Sequence, residues 1–136
     1  MNEDDILNKV RGNWINTHMI HIESQTTNGI PDLNFIHQGT EVWMELKVLR
    51  DEHIYMEMFQ PQWHLNRNMR GGRCIIFAAN RDTIKILRIT RPEQAVKGEE
   101  VGKFRKFKVA DLDEIATWER PFRWPVMFEE LMEKIG

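Results

Sequence analysis

Apolar residues recur at helical spacing from the start of the chain. Ile6, Leu7, Val10 and Trp14 fall on one stripe, which predicts an amphipathic helix over residues 3–16. Residues 18–23 (HMIHIE) read as a short strand, followed by a polar loop from Ser24 to Gly29. Residues 32–37 and 41–49 read as two strands joined at Gln38-Gly39-Thr40, the pattern of a hairpin. A second helix is predicted over 57–70, stopped by Gly71-Gly72. CIIFAA at 74–79 and TIKILRI at 83–89 are rich in branched residues and predict strands on either side of Asn80-Arg81-Asp82. Past Pro92 the pattern loosens into a short helix around 92–97, a Lys/Phe-rich segment at 103–109, and helices near 111–118 and 126–135.

This order predicts an α/β fold, a mixed β-sheet flanked by helices with the 57–70 helix as a right-handed crossover. A length of 136 residues suits one domain. Its core is expected over about 3–90, with 91–136 as an accessory basic segment and helical tail. No apolar run reaches the ~18 residues of a membrane span, and the acidic start, Met1 to Asp5, is unlike a signal peptide. Cys74 is the only cysteine, which excludes an internal disulfide and a cysteine zinc cluster. A cytoplasmic setting is the expectation, the host cytoplasm if the protein is viral. Small size and the lack of a fused domain suit a phage or mobile element.

A net charge of −2 argues at first against a nucleic-acid partner. Taken by segment the picture changes. Residues 1–57 carry four basic and ten acidic side chains, 58–110 carry twelve and four, and 111–136 carry three and seven. A basic block between acidic ends is either the footprint of a phosphate backbone or an ordinary solvated surface.

The strand at 41–49 carries the chemistry. Val42, Met44, Leu46 and Val48 form an apolar face, while Glu45 and Lys47 point together from the other. Charges on a central strand are costly unless paired or metal-bound. Hairpin pairing brings Asp32 within reach of Glu45. Two close carboxylates repel unless a cation lies between them, and Mg²⁺ takes such oxygen ligands along with water and phosphate. A bound Mg²⁺ polarises a phosphoryl oxygen and activates water, and a nearby lysine can orient that water. The alternative is a Glu–Lys pair on a half-exposed strand with Asp32 capping a turn.

Gly29-Ile30-Pro31-Asp32-Leu33, followed by Glu45-Leu46-Lys47 with twelve residues between Asp32 and Glu45, resembles the PD-(D/E)xK nuclease signature. Within that superfamily the chain is most similar to the compact VRR-NUC type and to phage and archaeal Holliday-junction resolvases, over about residues 3–90. The resemblance implies a restriction-endonuclease-like core, with Asp32 and Glu45 binding Mg²⁺ (or Mn²⁺), Lys47 assisting the attacking water, and the Leu46 carbonyl as a further ligand. Many members add an acid on the first helix. Glu3 lies in the middle of the apolar stripe whereas Asp4 and Asp5 point away, so Glu3 is the candidate, complementing the helix dipole being its rival role. Gln62, on a stripe with Met58, Leu65 and Met69 expected to face the sheet, matches a glutamine common in VRR-NUC-like chains. Ser24 lies where resolvases tend to carry a serine near the site, though a loop serine also caps turns.

His18 and His21 lie three apart on a strand and face opposite sides; His37, His53 and His64 are scattered and read as ordinary surface or core residues. Lys103, Arg105, Lys106 and Lys108 interleave with Phe104 and Phe107, which suits phosphate contact with stacking or equally a strand with solvated lysines. Arg67, Arg70 and Arg73 can grip flanking DNA or complement the end of the second helix. The apolar residues from Trp118 to Met132 dock on the chain's own sheet or build a homodimer, and the approximate two-fold symmetry of a four-way junction makes two related sites attractive. The expected function is therefore a metal-dependent endonuclease on branched DNA. Its rivals are a nickase or exonuclease of the same fold, a non-catalytic nucleic-acid-binding module, and an interaction protein whose apolar tail binds a larger replication or packaging complex.

Overall fold

A computed structural model describes residues 1–23 and 29–136. In chain order the elements are α1 (Glu3–Asn13), β1 (His18–His21), β2 (Leu33–His37), β3 (Thr40–Val48), β4 (His53–Glu57), α2 (Gln60–Met69) and β5 (Cys74–Ala79). They continue with β6 (Thr83–Arg88), α3 (Pro92–Ala95), β7 (Glu99–Val101), β8 (Phe104–Lys108), β9 (Asp113–Glu119) and α4 (Trp124–Ile135). The α/β expectation holds, and the strands form two sheets. The main one has the order β1-β2-β3-β5-β6-β9, the smaller β4-β8-β7. Within the main sheet β3 and β5 run parallel, and the other neighbours are antiparallel.

The start of α1 is fixed locally. Asn2 Oδ1 accepts from the Asp5 amide at 2.9 Å and the Asp5 carboxylate accepts from the Asn2 amide at 2.8 Å, a reciprocal capping box. The helix stops at Asn13, short of the predicted residue 16. Trp14 then turns inward and its indole donates to the Trp124 carbonyl at 3.1 Å. Gln38 and Gly39 both have positive φ (48° and 80°), the backbone of a two-residue hairpin turn; Thr40, expected in the turn, is instead the first residue of β3 and pairs with His37.

Two apolar clusters sandwich the main sheet. On one face Val42, Met44, Leu46 and Phe77 meet Ile6 and Val10 of α1 and Phe128 and Leu131 of α4. On the other, Ile76, Ala78 and Leu87 meet Leu65 of α2 and the inner residues Ile54, Met56 and Phe107 of the small sheet. Residues 91–136 are thus no accessory: β8 and β9 complete the sheets and α4 completes the first cluster.

The helix predicted near 111–118 is the edge strand β9. Its polar residues read as helical, but pairing with β6 outweighs that weak preference, helped by Lys85 bonding Glu114 at 2.7 Å. Neither β4 nor β7 is predicted by the sequence pattern. Before β4 the chain reverses at Asp51-Glu52, with φ 48° and 60°, between the paired residues Arg50 and His53. This two-residue turn ordinarily carries Gly at its second position, so nothing in the sequence marks it. The apolar tail packs on its own sheet: Met127, Phe128, Leu131 and Ile135 are all buried within the chain.

Glu52 therefore holds a left-handed backbone that favours glycine. Glu52→Gly creates the preferred Asp-Gly turn and leaves Lys85 its closer partner Glu114. We expect a gain of roughly 0.5–1 kcal/mol in urea unfolding. A loss would show that the Lys85–Glu52 contact, 3.8 Å, outweighs the backbone strain.

Candidate active site

The site forms where β3 outruns β2. Strand β2 begins at Leu33, paired with Met44, so the rest of β3 has no strand on that side. Asp32 takes the vacant place, its Oδ2 accepting from the Leu46 amide at 2.9 Å. The amides of Trp43 and Leu49 bond toward the opposite side, to the carbonyls of Arg73 and Ala79 at 2.8 Å. Alternation along the strand therefore directs the Leu46 carbonyl, like its N–H, toward Asp32. Gly29 (φ 83°) lets the chain before Asp32 pass against the start of α2: a Cβ there would lie 2.4 Å from the Phe59 carbonyl oxygen.

Glu45 and Lys47 project from β3 on the face shared with α2, and are 1% and 5% exposed. With Glu3, Asp32, Glu57 and Gln60 they line a cavity of about 620 Å³. Four residues singled out in sequence, Glu3, Asp32, Glu45 and Lys47, thus converge on one cavity. Asp5 is occupied in the capping box, and Glu3 is the first-turn acid that lines the cavity.

The electrostatics are unbalanced. Both Glu45 carboxylate oxygens are buried without a hydrogen-bond partner, as are both ring nitrogens of His64. The two side chains face each other at 3.8 Å between Nε2 and Oε1. Burial pushes the Glu45 carboxyl well above its ordinary pKa, and the adjoining Asp32 raises it further, with Lys47 opposing. Glu3, at the cavity mouth, is raised by lost hydration, opposed by Lys47 and reinforced by Asp32 and Glu57. Burial and the Lys47 charge lower His64 to about 3, so its ring is neutral at physiological pH.

Other expected residues lie elsewhere. Gln62 does not face the sheet: it is exposed and donates to Asn66 Oδ1 at 3.1 Å along its own helix. Met58 and Met69 of the same expected stripe are exposed too. The inward residues are Gln60, Pro61, His64 and Leu65. Gln60 takes the cavity position, its Oε1 accepting from the Glu57 amide at 2.8 Å. Pro61 was the usable signal, because proline marks the first turn of a helix and so places Met58, which anchored the expected stripe, before the helix begins. His64 gave no signal in sequence beyond its type.

Arg67 lies over the rings of Trp43 and Trp63, 5.4 and 4.7 Å from their centroids, and with Arg70 borders a separate groove toward the far end of α2. Arg73 bonds the Ile135 carbonyl at 2.8 Å, fixing the end of α4. Lys103, Arg105, Lys106 and Lys108 lie on or beside β8 of the small sheet, where Arg105 bonds the Gly98 carbonyl and Glu100. Ser24 lies outside the described residues.

Among the described residues no three His, Cys, Asp or Glu side chains group closely enough to hold a metal by themselves. That excludes a zinc-type cage. It fits Mg²⁺, which commonly takes one or two carboxylates and fills its remaining positions with water and phosphate. The orphaned oxygens of Glu45, with the Asp32 carboxylate adjoining, are donors of that kind.

No family model matches the chain, and no curated protein matches its sequence. In structure it is similar to Hjc, a Holliday junction resolvase from the archaeal hyperthermophile Archaeoglobus fulgidus. The TM-score is 0.50 at 15% identity, over 77% of this chain and 88% of that one. This likeness shows the fold, a resolvase-like mixed sheet flanked by helices.

An unpartnered buried carboxylate destabilises the fold that holds it. In metal-free protein Glu45→Gln is expected to raise unfolding free energy by roughly 1–3 kcal/mol. Because the folded pKa is raised, wild-type Glu45 is itself neutral at low pH. The gain should be largest above that pKa, shrink as pH falls below it, and vanish near the ordinary 4.5. His64 acts oppositely: its share of stability is complete above the ordinary 6.5 and drains as pH falls toward 3. Both proteins carry His64, so comparing their melting curves across pH isolates Glu45.

Proposed function

We propose that the chain is a divalent-metal-dependent DNA endonuclease that hydrolyses phosphodiester bonds, with branched DNA of the Holliday-junction type as its substrate. The observation that carries this reading is the convergence of Asp32, Glu45 and Lys47 on one cavity, with the Glu45 oxygens buried and unpartnered. A structural role alone leaves that burial uncompensated.

In this reading Asp32, Glu45 and the Leu46 carbonyl hold Mg²⁺ or Mn²⁺. The bound ion supplies charge stabilisation at the scissile phosphate and a more acidic water. Lys47, held among carboxylates at the cavity wall, orients the attacking water and offsets negative charge developing on the phosphate. Asp32 keeps one oxygen on the Leu46 amide, so its carboxylate is fixed before any ligand arrives. Gln60, pinned through its Oε1, lines the wall as a positioning group. Glu3 would add a further carboxylate at the mouth of the cavity. The exposed Arg67 and Arg70 are proposed phosphate contacts outside the cavity.

A four-way junction must be cut at two related positions, so we propose that two copies act together. Their interface lies away from the buried face of α4, which the chain's own core consumes. A non-catalytic binding module explains the basic residues but not the buried carboxylate.

Cleavage of a synthetic four-way junction, a linear duplex and a single strand, with Mg²⁺, Mn²⁺ or chelator, tests the proposal. Asp32→Asn, Glu45→Gln and Lys47→Ala should each lower cleavage at least about a hundredfold. Glu45→Gln should do so while raising metal-free stability, the opposite signs expected of a group kept for function. Chelator-resistant cleavage, or full activity in the carboxylate variants, sinks the mechanism; tight junction binding with no cleavage favours the module.

A further inference from the structure

The small sheet has a face that the core does not use. Ile54 and Met56 of β4 and Phe107 of β8 are buried, so strand alternation puts Tyr55, Phe104, Lys106 and Lys108 on the outer side. Register sets Tyr55 opposite Lys106, His53 opposite Lys108 and Glu57 opposite Phe104. Tyr55 and Phe104 are therefore diagonal neighbours across two strands, within roughly 7–8 Å of each other. They are 36% and 43% exposed. The Lys106 ammonium lies 6.0 Å from the Tyr55 ring centroid.

Two further facts give this face a direction. Tyr55 and Phe104 line the same cavity as Asp32 and Glu45, so the surface begins at the candidate active site. Beyond them Lys106 and Lys108 border a shallow groove of about 320 Å³ together with His53 and Lys97. Its acids are Glu99 and Asp111, and Lys97 is paired to Asp111 at 3.5 Å. Glu99 of β7 stands opposite Lys106, yet neither Lys106 nor Lys108 has a carboxylate within ion-pair distance among the described residues.

We propose that this outer face binds an unpaired nucleic-acid strand, with bases stacked on Tyr55 and Phe104 and phosphates on Lys106 and Lys108. The strand is thereby led into the cavity. The proposal rests on the nuclease reading of that cavity and narrows its branched substrate to DNA whose bases are splayed or unpaired beside the bond to be cut. A duplex already stacks its base faces on one another and has none to offer a flat ring; a splayed base has one. An acidic peptide would satisfy the lysines but would leave the two rings without a role.

The test is fluorescence anisotropy with the full chain in chelator, which uncouples binding from cleavage. The probes are a labelled mixed-sequence single strand and a hairpin duplex of equal charge. The single strand should bind more tightly. Phe104→Ala should weaken single-strand binding roughly tenfold and duplex binding little. Lys106→Ala should weaken both and reduce the salt slope for the single strand by about 0.7. Both side chains are at the surface, and unchanged melting temperatures verify folding. Equal affinity for the two probes, or a Phe104→Ala variant indistinguishable from wild type on the single strand, overturns the platform. An acidic peptide competing equally well in wild type and Phe104→Ala does the same. Cleavage with no single-strand preference would discard the platform alone; ring-dependent single-strand binding with no cleavage would discard the nuclease reading alone.

Discussion

Everything in this fold arranges itself around the second half of β3. One face of that stretch is apolar and must be covered; the other carries Glu45 and Lys47, which no apolar layer can cover without loss. The chain meets both demands by dividing its helices. Helices α1 and α4 close the apolar side, and α2 with the small sheet closes the other only in part, leaving a cavity over the charges. Strand β2 begins late enough for Asp32 to stand beside Leu46 in place of a strand residue. The cavity is thus a place where secondary structure was interrupted, and each interruption is filled by a side chain with chemistry to perform.

Those residues that obey a local rule were legible in the sequence. The alternation of β3, the Gln38-Gly39 hairpin and the spacing from Asp32 to Glu45 lead directly to the centre of the site, because strand period and hairpin register are short-range constraints. What depends on longer-range packing was not legible. The Asp51-Glu52 turn has no glycine to announce it, so β4 and with it the second sheet were invisible. Strand β9 takes its conformation from β6 rather than from its own residues. Gln62 was turned inward by an expected stripe that counted Met58 as helical, although Pro61 starts the helix only at Gln60. His64 resembles any buried histidine until Glu45 is placed 3.8 Å away.

The charge pattern deserves a narrower reading than its blocks invite. Several cations of the basic middle serve the fold. Arg73 fixes the end of α4, Arg88 bonds Asn68 and the Gly72 carbonyl, and Lys85 is committed to Glu114. Arg67 lies across two tryptophans. The surplus that remains is small and local, on the outer side of β8 and the end of α2. The part on β8 begins beside the carboxylate cavity, and that position rather than its size gives it meaning.

The pairing of β4 with β8 has a kinetic side. It joins His53 to Lys108 and Glu57 to Phe104, partners roughly fifty residues apart in the chain. The main hairpin of β2 and β3 closes over two residues, whereas the small sheet must wait until β5, β6 and α3 have brought β8 round. Loop-closure entropy places it among the last parts to assemble. One wall of the cavity therefore rests on a long-range strand pairing, while the strand that bears Glu45 sits inside the main sheet.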